Sequence, residues 1–382
     1  MSEYMVYKNA SLVNSASAVT HALIIGVGDY PYLQGGSADS PTPMHGGMGQ
    51  LSSPPLSARQ IATWLMEDFS NPGKPLATVS MLISEQNPMP FSPPGSQAHI
   101  DIRSATLSNV EEAVEEWFRM GNQNEEHLLL FFFCGHGVAD GIEQSLLLED
   151  YGESPIKPMS GAIDFMAFHR GMRSCAASQQ CYFVDACRTI SDVAIDTSYA
   201  GDPIVQDSLE RSPGSIWETA VFFSTVVGEA AYGRTNEVTV YTEHLLAALD
   251  GTGSDDRAPD GKWRVSTSNL QIALSESMKR HGYRNQFPVA MYMMDFYIHE
   301  LAGLPKVPVS IYCEPESANC QATLSYHKDR RMLDQRAPNP ERWETNILFG
   351  AYEFMAEINS VKTGKSQRIR PPARDVRLEV SV

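Results

Sequence analysis

The sequence has no run near the ~18 consecutive apolar residues of a membrane span. Its opening, MSEYMVYKNA, has no basic stretch followed by an apolar core, so neither a spanning helix nor a secretory leader is expected. Cysteine is sparse: Cys134, Cys175, Cys181, Cys187, Cys313 and Cys320 are scattered through 382 residues without any C-x-x-C spacing. That excludes a disulfide framework and a zinc pattern and favours a reducing compartment, so a cytoplasmic location is expected. Basic charge is in deficit, with 29 Lys and Arg against 46 Asp and Glu. The resulting net charge of −17 argues against a nucleic-acid footprint, while fitting cationic partners or plain solubility. No D-x-D-x-D-G loop is present, so no calcium site is expected, and no metal or cofactor is assigned. Gly26-Val27-Gly28 lacks a third glycine three residues on and runs into Asp29-Tyr30-Pro31, which does not suit a dinucleotide loop. Glu111, Glu112, Glu115 and Glu116 fill the polar side of one helical repeat and read as a solvated face.

What is there is a chain of 42% apolar and 20% charged residues, the balance of an ordinary folded protein. Its length predicts one large domain plus a small one. Apolar runs at His21–Gly28, His127–Phe133, Cys181–Val184 and Thr219–Ser224 read as buried strands, and Leu76–Ile83 alternates into another. Helical spacing starts at Leu56 and recurs around Val110–Phe118, Phe165–Arg173, Thr242–Leu249 and Ser268–His281. This alternation predicts an α/β fold with a mainly parallel central sheet and helices on both faces. After Leu301-Ala302-Gly303-Leu304-Pro305 the texture changes to short alternating runs between turn residues. The division expected is therefore a domain 1–302, containing a long exposed loop 189–218, and a small antiparallel β domain 303–382.

Chemistry concentrates in two stretches, HLLLFFFCGHG at 127–137 and CYFVDACR at 181–188. Each is a strand-length apolar run that breaks into small, polar or reactive residues. In an open α/β sheet the carboxyl ends of the strands form the rim where ligands bind. His136 and Cys187 would stand at that rim, the minimum set for a thiol nucleophile and its base. An ordinary thiol, with a pKa of about 8.5, needs such a neighbour to become a thiolate. Cys134 and Cys181 lie within or at the end of apolar runs and suit a buried structural role. The amides of Gly137 and Cys187 suit an oxyanion hole, since glycine leaves its N–H unobstructed.

Gly135-His136-Gly137 and Asp185-Ala186-Cys187-Arg188, in this order and 51 residues apart from histidine to cysteine, resemble the caspase-like clan of cysteine peptidases: caspases, metacaspases, paracaspases and bacterial relatives. The resemblance spans residues 20–302 as a pattern of elements. It implies a caspase-like sandwich and a cysteine endopeptidase with a Cys187/His136 dyad. It also implies the oxyanion hole at Gly137 and Cys187, and activation by a partner or by self-cleavage. In caspases proper the residue two before the cysteine is Gln; here Asp185 matches metacaspases and paracaspases. A carboxylate at that place pairs with Arg or Lys and repels Asp, so cleavage after a basic residue is expected.

The chain departs from metacaspases in lacking a second pocket acid before the first helix, where Leu56-Ser57-Ala58 stands; Asp29 or Asp39 could substitute. The resemblance further places Ser224, Thr225 and Val226 against the substrate main chain. Arg211 is the expected self-cleavage site, with Pro213 close behind it. Expected partners are a protein or peptide substrate and an activating protein, with no nucleic acid or membrane; bacterial relatives often serve in defence modules. A caspase-like pseudo-protease that binds without cutting is the alternative.

Overall fold

The computed structural model describes all residues except 1–3, 44, 158, 191–200, 207–216, 230, 232, 257, 284–285 and 381–382. Its contacts group residues 1–246 with 281–296 into one compact unit, and 247–280 with 297–382 into a second. A cut at 302 does not coincide with that grouping. Residues 247–280 and 297–302 go with the C-terminal strands; within them the strands β11 (Ser254–Asp255) and β14 (Tyr297–Glu300) both pair with β12 (Arg264–Ser266).

The first unit is built on a seven-stranded sheet of β1 (Met5–Lys8), β2 (Thr20–Val27), β3 (Leu76–Ser84), β4 (Leu128–Gly135), β8 (Gln179–Ala186), β10 (Glu218–Phe223) and β13 (Val289–Met291). Their spatial order is β1-β3-β2-β4-β8-β10-β13. The five inner strands run parallel, and antiparallel β1 and β13 close the two edges. Every residue of β2, β3 and β4 is buried, which is why β2 and β4 read as nearly continuous apolar runs; β3 alternates in sequence, yet its Thr78 and Ser80 are buried too.

One face of this sheet carries Leu23, Ile25, Phe131, Phe133, Tyr182 and Val184 in a core shared with the helix Leu107–Gly121. Trp117 of that helix is fully buried, and its indole N–H donates to the His21 carbonyl at 3.1 Å. The opposite face takes the helix Ser53–Glu67. That helix comes so close at Gly26 that a Cβ there would lie 2.7 Å from the Ala58 Cβ and 2.8 Å from the Pro54 carbonyl oxygen. Gly26 is the open place that lets the helix settle on the strand.

A second, smaller sheet shows in the sequence only through the short apolar run Ser145–Glu149, which overlaps one of its strands. It joins β5 (Gly137–Asp140), β6 (Glu143–Leu147), β7 (Ala162–Asp164) and β9 (Thr189–Ile190) in the order β7-β6-β5-β9. The stretch read as a long exposed loop is also not wholly so. Asp202 exchanges main-chain hydrogen bonds with Ala162 and Asp164 at 2.8 Å, and buried Gly201 lies against the same strand. Residues 191–200 and 207–216 of that stretch, Arg211 included, lie outside the described residues.

In the second unit, β15 (Lys306–Glu314), β16 (Thr323–Lys328), β17 (Arg331–Arg336), β18 (Trp343–Leu348), β19 (Gly350–Ile358), β20 (Val361–Ile369) and β21 (Arg374–Glu379) form two sheets, β18-β15-β21 and β17-β16-β19-β20. Their inner faces meet in a core that includes Val309, Ile311, Leu324, Phe354 and Val376. All pairs are antiparallel except β15 with β21, which run parallel. Among the described residues no helix is long and apolar enough to cross a membrane.

Replacing Gly26 with Ala forces the 53–67 helix off its strand or crowds the interface. Thermal unfolding followed by circular dichroism is expected to show a loss of about 1–3 kcal/mol, the usual range for overpacking. An unchanged midpoint would mean that the helix is free to move.

Candidate active site

The parallel pairing of β4 with β8 sets the geometry. Cys134 lies opposite Asp185 and Gly135 opposite Ala186. The next residue on each strand is His136 on one and Cys187 on the other, so they leave the sheet as neighbours where paired strands lie ~4.8 Å apart. Gly137 presses onto the same place: a Cβ at 137 would stand 2.7 Å from the Cys187 carbonyl oxygen and 2.9 Å from the Ala186 Cβ. Only glycine permits this approach, which accounts for the second glycine of the Gly-His-Gly motif.

His136 is held from three sides. Its amide donates to the Tyr30 hydroxyl at 2.8 Å, and that hydroxyl donates in turn to the Leu147 carbonyl at 3.3 Å. The Tyr30 ring packs on the imidazole with centroids 4.8 Å apart. The imidazole Nε2 lies 2.7 Å from the Gly49 carbonyl oxygen. A carbonyl can only accept, so Nε2 carries the proton and a neutral ring keeps its lone pair on Nδ1. Burial presses the His136 pKa below the ordinary imidazole value, although the Gly49 carbonyl favours the protonated form.

Cys187 is half-buried, and its main chain is clamped. Its carbonyl accepts from the Gln144 amide at 3.1 Å, while the Gln144 side-chain oxygen accepts from Arg188 Nε, also at 3.1 Å. The buried Arg188 guanidinium lies 4.2 Å from the Phe223 ring centroid. The segment after β10 folds back over this point. The Arg188 amide donates to the Glu229 carbonyl at 3.1 Å, and the Gly228 amide to the Arg188 carbonyl at 2.8 Å. The Ala231 amide then donates to the Cys187 sulfur at 3.3 Å, and the thiol faces the Ala231 carbonyl at 3.8 Å. Burial pushes the Cys187 thiol up, the Ala231 amide opposes this, and the charge of Asp185 adds to it. In this state both side chains are neutral.

Asp185 is 2% exposed, and its carboxylate accepts from the Thr239 hydroxyl and, at 2.8 Å, from the Thr242 hydroxyl. Its second oxygen meets no donor in full hydrogen-bond geometry among the described residues, although the Cys134 thiol and the Ser224 hydroxyl stand close to the carboxylate. Burial raises its pKa to about 6 against the hydrogen bonds of Thr239 and Thr242 and the weaker contacts of Cys134 and Ser224. Ser224 and Thr225 are fully buried, and Val226 is half-buried. The Ser224 amide already donates to Val184 at 3.0 Å, and its carbonyl accepts from Gln286 at 3.2 Å, so neither main-chain group faces outward. The Val226 carbonyl closes a turn with the Glu229 amide at 3.3 Å. Asp29 is half-buried at the end of β2, two strands from β8, with its pKa raised by burial and by Glu149. Arg211 lies outside the described residues. Among the described residues no cluster of metal-binding side chains occurs.

The sequence offered no sign of Tyr30, Gln144, Thr239 or Thr242 at this site. The one signal for Gly49 was its place in the breaker-rich segment 35–55, legible as a loop near the rim.

A mainly parallel α/β sheet with helices on both faces, carrying these motifs at its carboxyl edge, defines the caspase-like fold class. The family model described as Caspase domain matches residues 19–260, and the chain belongs to this family of cysteine peptidases. A curated relative, the uncharacterized protein y4kE of Sinorhizobium fredii, is 27% identical over 214 residues; the match spans 56% of this chain and 60% of that protein's length. Among solved structures, protein GSU0716 of Geobacter sulfurreducens superposes with a TM-score of 0.42 and 14% identity, over 72% of this chain and 92% of that one. Caspase-1 of Spodoptera frugiperda gives 0.41 and 10%, over 75% and 94%.

Two measurements follow from these environments. Alkylation of Cys187 by iodoacetamide, followed by mass spectrometry across pH, is expected to show a midpoint above the ~8.5 of an ordinary thiol. A midpoint near 6 would instead reveal a standing thiolate–imidazolium pair. For Asp185, the native state holds its proton up to about pH 6, whereas an unfolded carboxyl releases it near 3.8. Its contribution to stability is thus greatest at low pH and falls as pH rises between those values, by on the order of 2–3 kcal/mol. Asp185→Asn should flatten that part of the curve of melting temperature against pH, whereas parallel curves for the two proteins would show an ordinary carboxyl.

Proposed function

We propose that this protein is a cysteine endopeptidase in which Cys187 is the nucleophile and His136 the base. The observation that carries this reading is the β4–β8 register, which sets the two residues side by side at the sheet's carboxyl edge while Gly49 fixes the imidazole tautomer. His136 Nδ1 takes the thiol proton, and the sulfur attacks the scissile carbonyl carbon. The Gly137 and Cys187 amides stabilise the oxyanion. His136 then returns the proton to the departing amine, leaving a thioester that water hydrolyses. Ala231 must withdraw from the sulfur before a substrate carbonyl can reach it. This supports a resting enzyme that needs a protein partner, or cleavage within 207–216 at Arg211, to become active.

Asp185 supports cleavage after Arg or Lys. A buried carboxylate held only by hydroxyl and thiol neighbours, with no cation beside it among the described residues, is relieved by a guanidinium or ammonium reaching it from the substrate. A substrate strand would pair near Val226, once the segment that follows has moved. The grouping 1–302 and 303–382 is retained as a proposal for function: a catalytic part and a β-rich part that binds a partner or governs access. We assign the protein to the cytoplasm on its unpaired cysteines, and a role in bacterial defence rests on the family resemblance alone. The alternative, a pseudo-protease that binds peptides without cutting, draws on a different observation: the Ala231 main chain covers the thiol, and Ser224 has no free main-chain group.

A panel of fluorogenic peptides ending in Arg, Lys, Asp or Leu separates these readings. Hydrolysis after Arg or Lys is expected, abolished in Cys187→Ala. In Asp185→Asn, kcat/KM on the basic peptides is expected to fall by about 10- to 100-fold, the worth of one charged hydrogen-bonded contact. Cleavage after Asp would overturn the role of Asp185. Silence on every peptide, both before and after limited proteolysis of the 207–216 segment, would favour the pseudo-protease.

A further inference from the structure

The second unit contains a cleft of about 440 Å³ that the proposed peptidase chemistry does not use. Its volume falls within the roughly 300–1,000 Å³ of small-molecule sites. One wall is aromatic: Trp263 and Phe349 meet with ring centroids 4.6 Å apart, and the Arg368 guanidinium lies over the Phe349 ring at 4.8 Å. That stack presents a flat cationic shelf, a surface on which a planar heterocycle gains both stacking and cation–π attraction. The exposed side chain of Ile272 adds an apolar edge.

Beside the shelf stand Arg370 and Arg374. Arg374 is anchored by hydrogen bonds to the Ala373 and Pro371 carbonyls at 2.9 and 3.4 Å. Burial and the adjacent Arg370 charge both press it below the ordinary arginine value, with Glu276 in opposition. Among the described residues neither Arg368 nor Arg370 forms an ion pair, while the nearby Asp375 is engaged by Arg280. Guanidinium groups drawn together repel one another until an anion arrives, and their planar fork suits phosphate.

The charge balance of the chain sharpens the point. Residues 303–382 carry 12 Lys and Arg against 10 Asp and Glu, in a protein whose net charge is −17. The lining also offers acceptors, with exposed Asp256 beside Asp255. A carboxylate there suits a vicinal diol, as in the recognition of ribose hydroxyls by an acidic side chain. A heterocycle shelf, an arginine pair and a carboxylate within one cleft match the three parts of a nucleotide.

We propose that this cleft is a binding site for a nucleoside monophosphate or a ligand of that class: the base on the Arg368–Phe349 shelf, the phosphate at Arg370 and Arg374, and the ribose toward Asp256. The proposal is independent of the peptidase reading, because its residues belong to the second unit. Calorimetric titration of the full-length protein with AMP, GMP, CMP and UMP tests it, with adenosine, ribose 5-phosphate and inorganic phosphate as the part-ligands. At least one nucleotide is expected to bind saturably and more tightly than any part-ligand. Arg370→Ala is expected to weaken it by about tenfold or more and to erase its advantage over the nucleoside. Arg368→Ala should instead erase the advantage over ribose 5-phosphate. Both side chains are exposed, so an unchanged melting temperature of the free variants checks that folding is intact. The proposal is overturned if no nucleotide binds at millimolar concentration, if inorganic phosphate binds as tightly as the nucleotides, or if Arg370→Ala leaves affinity unchanged.

Discussion

Everything at the candidate site depends on one pairing, that of β4 with β8. Parallel strands hydrogen-bonded in a fixed register cannot slip by one residue without turning every side chain to the other face. Both faces of these strands are buried, so a slip would drive Phe131, Phe133, Tyr182 and Val184 out of one packed core and into the layer on the other face. The cost of that repacking is what holds His136 beside Cys187. The small sheet of β5, β6, β7 and β9 extends the constraint beyond the main sheet, with Gly137 against the Cys187 carbonyl and Gln144 tying that carbonyl to Arg188.

The legible parts of this fold were those that burial on two faces enforces. A strand covered on both sides must be apolar throughout, so β2, β4, β8 and β10 announced themselves, and each ended close to where its apolar run stops. The reactive residues were legible for the complementary reason. A histidine and a cysteine directly after such runs have left the core, and glycine beside the histidine marks a close approach. What escaped was set by contacts between distant segments. Thr239 and Thr242 meet Asp185 across 54 and 57 residues. Gly49 meets His136 through its carbonyl, a group every residue has. The strands β17 and β20 were missed because they are mostly exposed and polar, with little alternation to betray them.

Asp185 joins two parts of the chain. It lies beneath the surface two residues before Cys187, held by the loop and helix that follow β10. Such a group ties the end of β8 to the segment 239–242. Any rearrangement of that segment changes the solvation of the carboxylate, and with it the field at the neighbouring sulfur, which Asp185 already pushes toward the neutral form.

The cover that Ala231 lays over Cys187 has a consequence for the chemistry of oxygen. Oxidation of a cysteine begins at the thiolate and requires an approach to the sulfur. Here the sulfur is kept protonated and faces a main-chain amide and carbonyl. Burial disfavours the thiolate and the Ala231 contact covers the sulfur, so the same withdrawal of Ala231 that admits a substrate would also make the sulfur easier to oxidise.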